Sequence, residues 1–438
     1  MSRTISAAAS DLVELALELA GVVRDGHGIR SEDGPGRPPL AVEVPSECLV
    51  DRLPHEMSHR GPPPAGLSTA GRGYHSTPET SDMDRQPRRD RLVAELPGFG
   101  VEAMLLTRLP NIRYLAGFTG SNGQLLISAA ASVFLTDSRY EEQARGEVPD
   151  IRREIYYPDF IQRLQQVLGE LGIRRLGFEA AGVTYRTYGK LESLDSIQLV
   201  PTEDVVERQR WVKDAGELSL IERAQEIADE AYERVTAKLV EGMTEKEAAL
   251  ELEYAMRRAG ADGIAFDSIV AFGENAAEPH HRPGDRPLAT GDLVKLDFGC
   301  TVGGYNSDMT RTVAFGEPSP ELREIYDVVV RAQGAGVDAV RPGVVGREAD
   351  QAARDVVADA GYGDRFGHSL GHGIGLEVHE GPGLRRDSTD VLPEGTVVTV
   401  EPGIYVPGVG GVRIEDMVVV EKTGARPLPR SPRELVVL

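Results

Sequence analysis

The chain repeats itself. Gly242, Glu247, Ala248, Ala259 and Gly260 recur as Gly343, Glu348, Ala349, Ala360 and Gly361 at a constant offset of 101 residues. Further on, residues 291–299 (GDLVKLDFG) recur as residues 395–403 (GTVVTVEPG) at an offset of 104, which sets Asp297 onto Glu401. Each copy reads as helices followed by strands. The pattern predicts two related halves of one fold that bring equivalent acids to a shared centre.

Local grammar supports that reading. Thr244 with Glu247 forms a capping box that opens a helix, which stops at Gly260. Residues 294–298 read as a strand, Gly303 and Gly304 as a turn, and residues 305–313 as the returning strand. Pairing about a centre between Val302 and Gly303 sets Asp297 directly opposite Asp308, with Cβ atoms about 4.5 to 5.5 Å apart. In the second copy Glu401 and Glu415 flank the glycine-rich run 407–411, centred on Gly408. Arg413 reads as the only cation near these four acids, with no lysine beside them. Ionised carboxylates gathered this way repel one another unless a cation sits between them.

Histidines complete the constellation. Beyond residue 82 they fall in two clusters, His280 with His281 and His368, His372 with His379. One imidazole added to four carboxylates makes an oxygen-rich site suited to manganese, iron, cobalt or zinc. Calcium is the competing reading of the acids, but it does not account for the histidines.

With 438 residues the chain exceeds one hydrophobic core, and two domains are expected. Short apolar strands at 101–106, 125–128 and 133–136 and a helix at 159–171 indicate a small α/β domain before the repeat. At residues 217–239, Leu218, Ile221, Ala224, Ile227, Ala228, Ala231 and Val235 form one stripe of a packed helix. Residues 31–80 are rich in Pro, Gly, Arg and Ser without periodicity and are expected to be disordered, so that 1–82 reads as a dispensable extension. The domains are then expected at 83–210 and 211–438. The formal charge of -22 disfavours nucleic acid and anionic lipid as partners. Cys48 and Cys300 offer neither a disulfide framework nor a zinc spacing, and the apolar stretch 12–23 is broken by Glu14 and Glu18, so a cytoplasmic protein without membrane contact is expected.

The run HSLGHGIGLEVHE (residues 368–380) resembles the signature of the pita-bread metallopeptidases of the aminopeptidase P and prolidase group. NIRYLAGFTGSNG (111–123) and TDSRY (136–140) resemble that family's N-terminal creatinase-like domain. The resemblance implies an α/β creatinase-like domain followed by an α+β pita-bread domain with pseudo-two-fold halves. It implies two divalent metal ions, manganese first among them, held by Asp297, Asp308, His372, Glu401 and Glu415. Asp308 and Glu415 would bridge both ions, a hydroxide between them would attack, and Glu401 would shuttle the proton. His280 and His379, with His368 beside them, would line the substrate pocket, and Tyr405 and Arg413 would orient carboxylates or waters. His281 and Trp211 read as structural, and TGSNG lacks the Lys-Ser/Thr of a phosphate loop. The implied activity is hydrolysis of the Xaa-Pro bond of short proline-containing peptides by a homodimer. A methionine aminopeptidase-like exopeptidase and a metal-free peptide-binding module are the alternatives. The first is disfavoured by the extra N-terminal domain and the second by the complete ligand set.

Overall fold

The computed structural model describes residues 83–438 and a short antiparallel pair, Arg24–Asp25 with Gly28–Ile29. The disorder expected over 31–80 falls outside the described residues. Among those described, no helix is long and apolar enough to cross a membrane.

Six strands form the first sheet: β1 (Ala103–Leu106), β2 (Gln124–Ser128), β3 (Ser132–Asp137), β4 (Arg152–Tyr156), β5 (Arg175–Glu179) and β6 (Gln198–Thr202). Their order is β4-β3-β2-β1-β5-β6, antiparallel at β1-β2 and β2-β3 and parallel elsewhere. The central β1 is buried along its whole length, because apolar clusters cover both faces of the sheet. Helix α1 (Phe160–Leu171) lays Leu164, Val167 and Leu168 on one face. The Asp159 side chain accepts from the Ile161 N–H to start it, and Gly172 at φ 69 ends it.

Helix α2 (Val205–Trp211) leads into α3 (Ala215–Thr236) and α4 (Glu245–Arg258). The stripe expected on α3 is buried at Ile221, Ala224, Ile227, Ala228, Ala231 and Val235. That helix begins two residues earlier than its apolar pattern, because Asp214 and Glu217 form a reciprocal capping box. The Thr244–Glu247 box opens α4 as expected. Thr244→Ala should cost about 1 kcal/mol, seen as a lower urea midpoint; an unchanged midpoint would mean the cap adds nothing.

These helices pack on β8 (Ile269–Phe272), β9 (Leu293–Phe298) and β12 (Met309–Ala314), with a smaller sheet of β7 (Gly263–Ile264), β10 (Cys300–Val302) and β11 (Tyr305–Asn306) beside them. The second half repeats the plan. Helices α5 (Pro320–Ala339) and α6 (Gly346–Asp359) share an apolar cluster with β15 (Val397–Val400) and β18 (Asp416–Glu421). The sheet there runs β14-β13-β15-β18-β19, where β13 is Gly371–Gly373, β14 Glu380–Leu384 and β19 Gly424–Pro427; β16 (Gly403–Val406) pairs with β17 (Gly410–Arg413). Helices α4 and α6 begin and end 101 residues apart, as the repeat requires. The cap is not repeated: Val345 stands at the N-cap of α6 and supplies no side-chain hydrogen bond.

Candidate metal centre

Each half presents its acids from a strand hairpin. In the first, β10 and β11 close through Gly303 and Gly304 at φ 56 and 83, a two-residue turn that only glycine adopts without strain. Its centre therefore lies between these glycines, one residue later than the sequence suggested. Asp297 faces Thr310 across the ladder, not Asp308. The register moves by two residues, so both acids still project to the same side, and Asp308 sits in the break between β11 and β12. In the second half the pairings Val400↔Asp416 and Gly403↔Arg413 place the centre at Gly408, as expected. Glu401 and Glu415 occupy the gap between these ladders.

His372 lies in the middle of β13. A Cβ at Gly371 would stand 1.9 Å from the Thr399 carbonyl, and one at Gly373 would stand 2.1 Å from that of Gly381. The glycines thus let two neighbouring backbones close around the histidine. Its Nδ1 lies 3.1 Å from the Gly373 carbonyl, which assigns the donor there. Nε2 is left facing Glu401 Oε1 at 3.4 Å and Asp308 Oδ2 at 3.7 Å. Asp308, His372 and Glu415 each offer a ligand atom, all within 4.8 Å of one another. Asp297 and Glu401 line the same cavity, of about 440 Å³, with His280, His368, His379 and Arg413.

The halves are stitched together at this point. The Glu415 N–H donates to the Thr310 carbonyl at 3.1 Å, and Thr310 Oγ1 donates to Glu415 Oε2 at 2.7 Å. Arg413 pairs with Asp297 through Nη2, donates to Thr310 Oγ1 at 3.0 Å, and reaches the Tyr405 hydroxyl at 2.9 Å. Tyr405 in turn meets His368 Nε2 at 2.9 Å, while His368 Nδ1 faces the Ser369 carbonyl at 2.8 Å. With Nδ1 donating, Tyr405 donates to Nε2, and burial holds the His368 pKa below its usual value.

Electrostatics marks the centre as short of positive charge. Burial, then repulsion from Asp297, pushes the Asp308 carboxyl well above the usual range, and burial with Asp308 does the same to Glu415. Against the opposing pull of burial, the hydrogen bond with Glu401 lifts His372 to about 9 and holds Glu401 at about 2. A divalent cation among these oxygens would supply the missing charge, and the donor set of carboxylates with one imidazole fits one.

Lys295 corrects the reading that no lysine is nearby. It is fully buried on β9, with Nζ donating to the carbonyls of Glu278 at 2.5 Å and Ala276 at 3.1 Å and lying 5.3 Å over the Tyr405 ring. Burial drives its pKa down to about 6. The signal was present, since Lys295 is two residues from Asp297 on one strand. Phe266, Ser268 and Ile269, also unforeseen, line the cavity, and the Ser268 hydroxyl is buried without a partner among the described residues. His281 sits between Glu245 and Glu278 at 2.9 and 2.7 Å, an ion-pair setting that accords with a structural role.

Comparison with known proteins places this centre in a family. Residues 219–422 match the model of metallopeptidase family M24, and residues 88–212 that of the Creatinase/Prolidase N-terminal domain. An uncharacterized peptidase of Bacillus subtilis is 46% identical over 77% of this chain and 96% of its own length. A Xaa-Pro dipeptidase of Pyrococcus horikoshii is 37% identical over 77% of this chain and 95% of its own. Among solved structures, a Xaa-Pro dipeptidase from Bacillus anthracis superposes with a TM-score of 0.79 at 43% identity, covering 81% of this chain and all of that one. An X-Pro aminopeptidase from Thermotoga maritima gives 0.75 at 40% identity, covering 80% of this chain and 99% of that one. The chain therefore belongs to the M24 metallopeptidases, as a pita-bread metallo-exopeptidase of the Xaa-Pro peptidase group whose family works with divalent metal ions.

Proposed function

We propose that the chain is a dinuclear-metal enzyme that hydrolyses the Xaa-Pro bond of short peptides. The observation that carries this reading is the convergence of Asp308, His372 and Glu415 within 4.8 Å, on a cavity that Asp297 and Glu401 also line. The prolyl specificity is supported by the activities for which the Pyrococcus, B. anthracis and Thermotoga relatives are named. Asp308 and Glu415 would be shared between two ions, Asp297 would complete one, and His372 with Glu401 the other. Bound there, the ions would lower the pKa of water and polarise the scissile carbonyl. Glu401, held ionised beside His372, takes the proton from the attacking water and returns it to the leaving nitrogen. His280 and His379 on the cavity wall stabilise the developing oxyanion or the leaving nitrogen. Tyr405 and Arg413 fix Asp297, and His368 fixes Tyr405.

The hard donor set favours manganese, with cobalt, iron and zinc as substitutes. A domain division near residue 210 is supported by the family matches at 88–212 and 219–422. A cytoplasmic homodimer completes the proposal; it rests on resemblance, and sedimentation together with cell fractionation tests it.

The deciding experiment compares Xaa-Pro dipeptides, Xaa-Pro-Yaa peptides and methionyl peptides with added manganese. Xaa-Pro peptides should be cleaved at least about 100-fold faster than methionyl ones, and a chelator should abolish turnover until manganese is restored. Preference for methionyl peptides would instead favour a methionine aminopeptidase-like enzyme. Tight peptide binding with no turnover would favour a binding module.

A further inference from the structure

Two acidic side chains bracket the cavity residues Val378 and His379, and both are gripped by basic groups from the N-terminal part of the chain. Arg108 Nη2 donates to both oxygens of Glu377, at 2.7 and 2.9 Å, while its Nη1 donates to Glu207 Oε1 at 2.6 Å. Arg210 Nη2 lies 2.9 Å from Glu377 Oε2 and also pairs with Glu380. Lys213 Nζ reaches Glu380 Oε1 at 2.8 Å. Asn111 ties the basic side together: its Oδ1 accepts from Arg210 at 2.8 Å, and its Nδ2 donates to Glu207 at 2.7 Å and to Glu179 at 2.6 Å.

What this network holds is a short loop that carries a reactive wall. Among the described residues, the His379 side chain makes no hydrogen bond; its ring lies 4.4 Å from that of His372. The imidazole is therefore placed by its backbone and by that one ring contact. The backbone is in turn pinned at Gly375, whose carbonyl accepts from Asn306 Nδ2 at 2.9 Å, and at Gly381, whose Cα faces the Trp211 ring. Between these pins Leu376 packs on two apolar clusters and Glu380 pairs with Gly373 in the sheet, while the side chains that turn towards the N-terminal part of the chain by charge are the Glu377 and Glu380 carboxylates. Charge-assisted bonds with a guanidinium fork are directional, so they fix orientation as well as distance.

Resting on the hydrolase reading above, we propose that Arg108 is a positioning residue: through Glu377 it fixes the loop of residues 376–380 and so aims the His379 imidazole at the site. The N-terminal domain is then part of the catalytic apparatus. Arg108 is the informative position, because its side chain is 26% exposed whereas that of Arg210 is only 2% exposed. Loss of Arg108 leaves the buried Arg210 and Lys213 pairs to hold the fold.

The test uses the manganese-loaded full chain with Arg108→Ala, Arg108→Lys and His379→Ala, singly and combined. Arg108→Ala should lower kcat on an Xaa-Pro dipeptide by about 10-fold, with metal content unchanged, and Arg108→Lys should recover part of the loss. In the His379→Ala background the same change should lower kcat less than about twofold, because the two act on one element. Hydrogen–deuterium exchange of peptides covering 374–380 should quicken in Arg108→Ala. An equal loss of kcat in both backgrounds, or unchanged exchange in that loop, would overturn the proposal. If the unmodified enzyme cleaved no Xaa-Pro peptide, the substrate reading would fall, while the exchange measurement would still decide for or against Arg108.

Discussion

Asp308→Asn should lower kcat/KM for an Xaa-Pro dipeptide by on the order of 10³-fold or more, about 4 kcal/mol of transition-state stabilisation. The substitution keeps the shape of the side chain and removes the charge on which ion binding depends. Metal analysis should accordingly show fewer than two ions per chain. The fold should not suffer. Burial and the Asp297 charge make ionised Asp308 unfavourable in the metal-free protein, so neutral asparagine relieves strain, and the metal-free variant should melt no lower than the metal-free parent. Full activity, or undiminished metal content, would rule out the shared-ligand role.

The second large effect concerns pH and appears only when metal is absent. Asp308 and Glu415 have folded pKa values raised well above the unfolded ones. Above the unfolded values the native state therefore holds more protons than the unfolded chain, and stability falls as pH rises. His372 acts in the same direction, since its folded pKa of about 9 means a contribution present below its unfolded value and lost as pH climbs through 9. Glu401 is opposite in sign, but its contribution is lost only as pH falls towards 2, beneath the window. Lys295, at about 6, and His368, held below its usual value, are opposite in sign within it, because the unfolded chain there holds more protons and stability rises with pH. Because Lys295 and His368 act alike in both proteins, chelator-treated parent should fall several degrees further below chelator-treated Asp308→Asn in melting temperature at pH 9 than at pH 5. Manganese should raise the melting temperature most at the alkaline end, because cations bind the deprotonated ligands. Scanning calorimetry of parent and variant at three pH values, with and without metal, provides the check; a gap that fails to widen with pH in chelator would contradict the shift assigned to Asp308.

Much of this centre could be read from the amino acids because its chemistry is local or repeated. The spacing of 101 residues between α4 and α6 survives in the helix boundaries, and the acids projected from equivalent strands reach a common cavity. The errors are physical in kind. The first hairpin's centre differs by one residue because the sequence pairing is drawn about Val302 and Gly303, to set the two acids opposite each other, whereas the positive φ of Gly303 and Gly304 makes those two residues the corners and pairs Val302 with Tyr305. Strand alternation sets Lys295 on the same face as Asp297, but a lysine is so seldom fully buried that the pattern is easily read as solvent-facing. The ion pair between Arg108 and Glu377 spans 269 residues of sequence; no local pattern encodes it, since it follows from how two separate cores come to rest against each other.

The crossing from Thr310 to Glu415 has a consequence for how such a chain matures. Asp297 and Asp308 come from one half of the repeat, and His372, Glu401 and Glu415 from the other, so neither half alone assembles the proposed ligand set. Ion uptake by that set would therefore sense completion: a chain with only its first half formed would offer two of the proposed ligands, whereas docking of the second half would create the whole cage at once. Loading with metal would then act as a latch on the finished molecule, closing only after both halves have met.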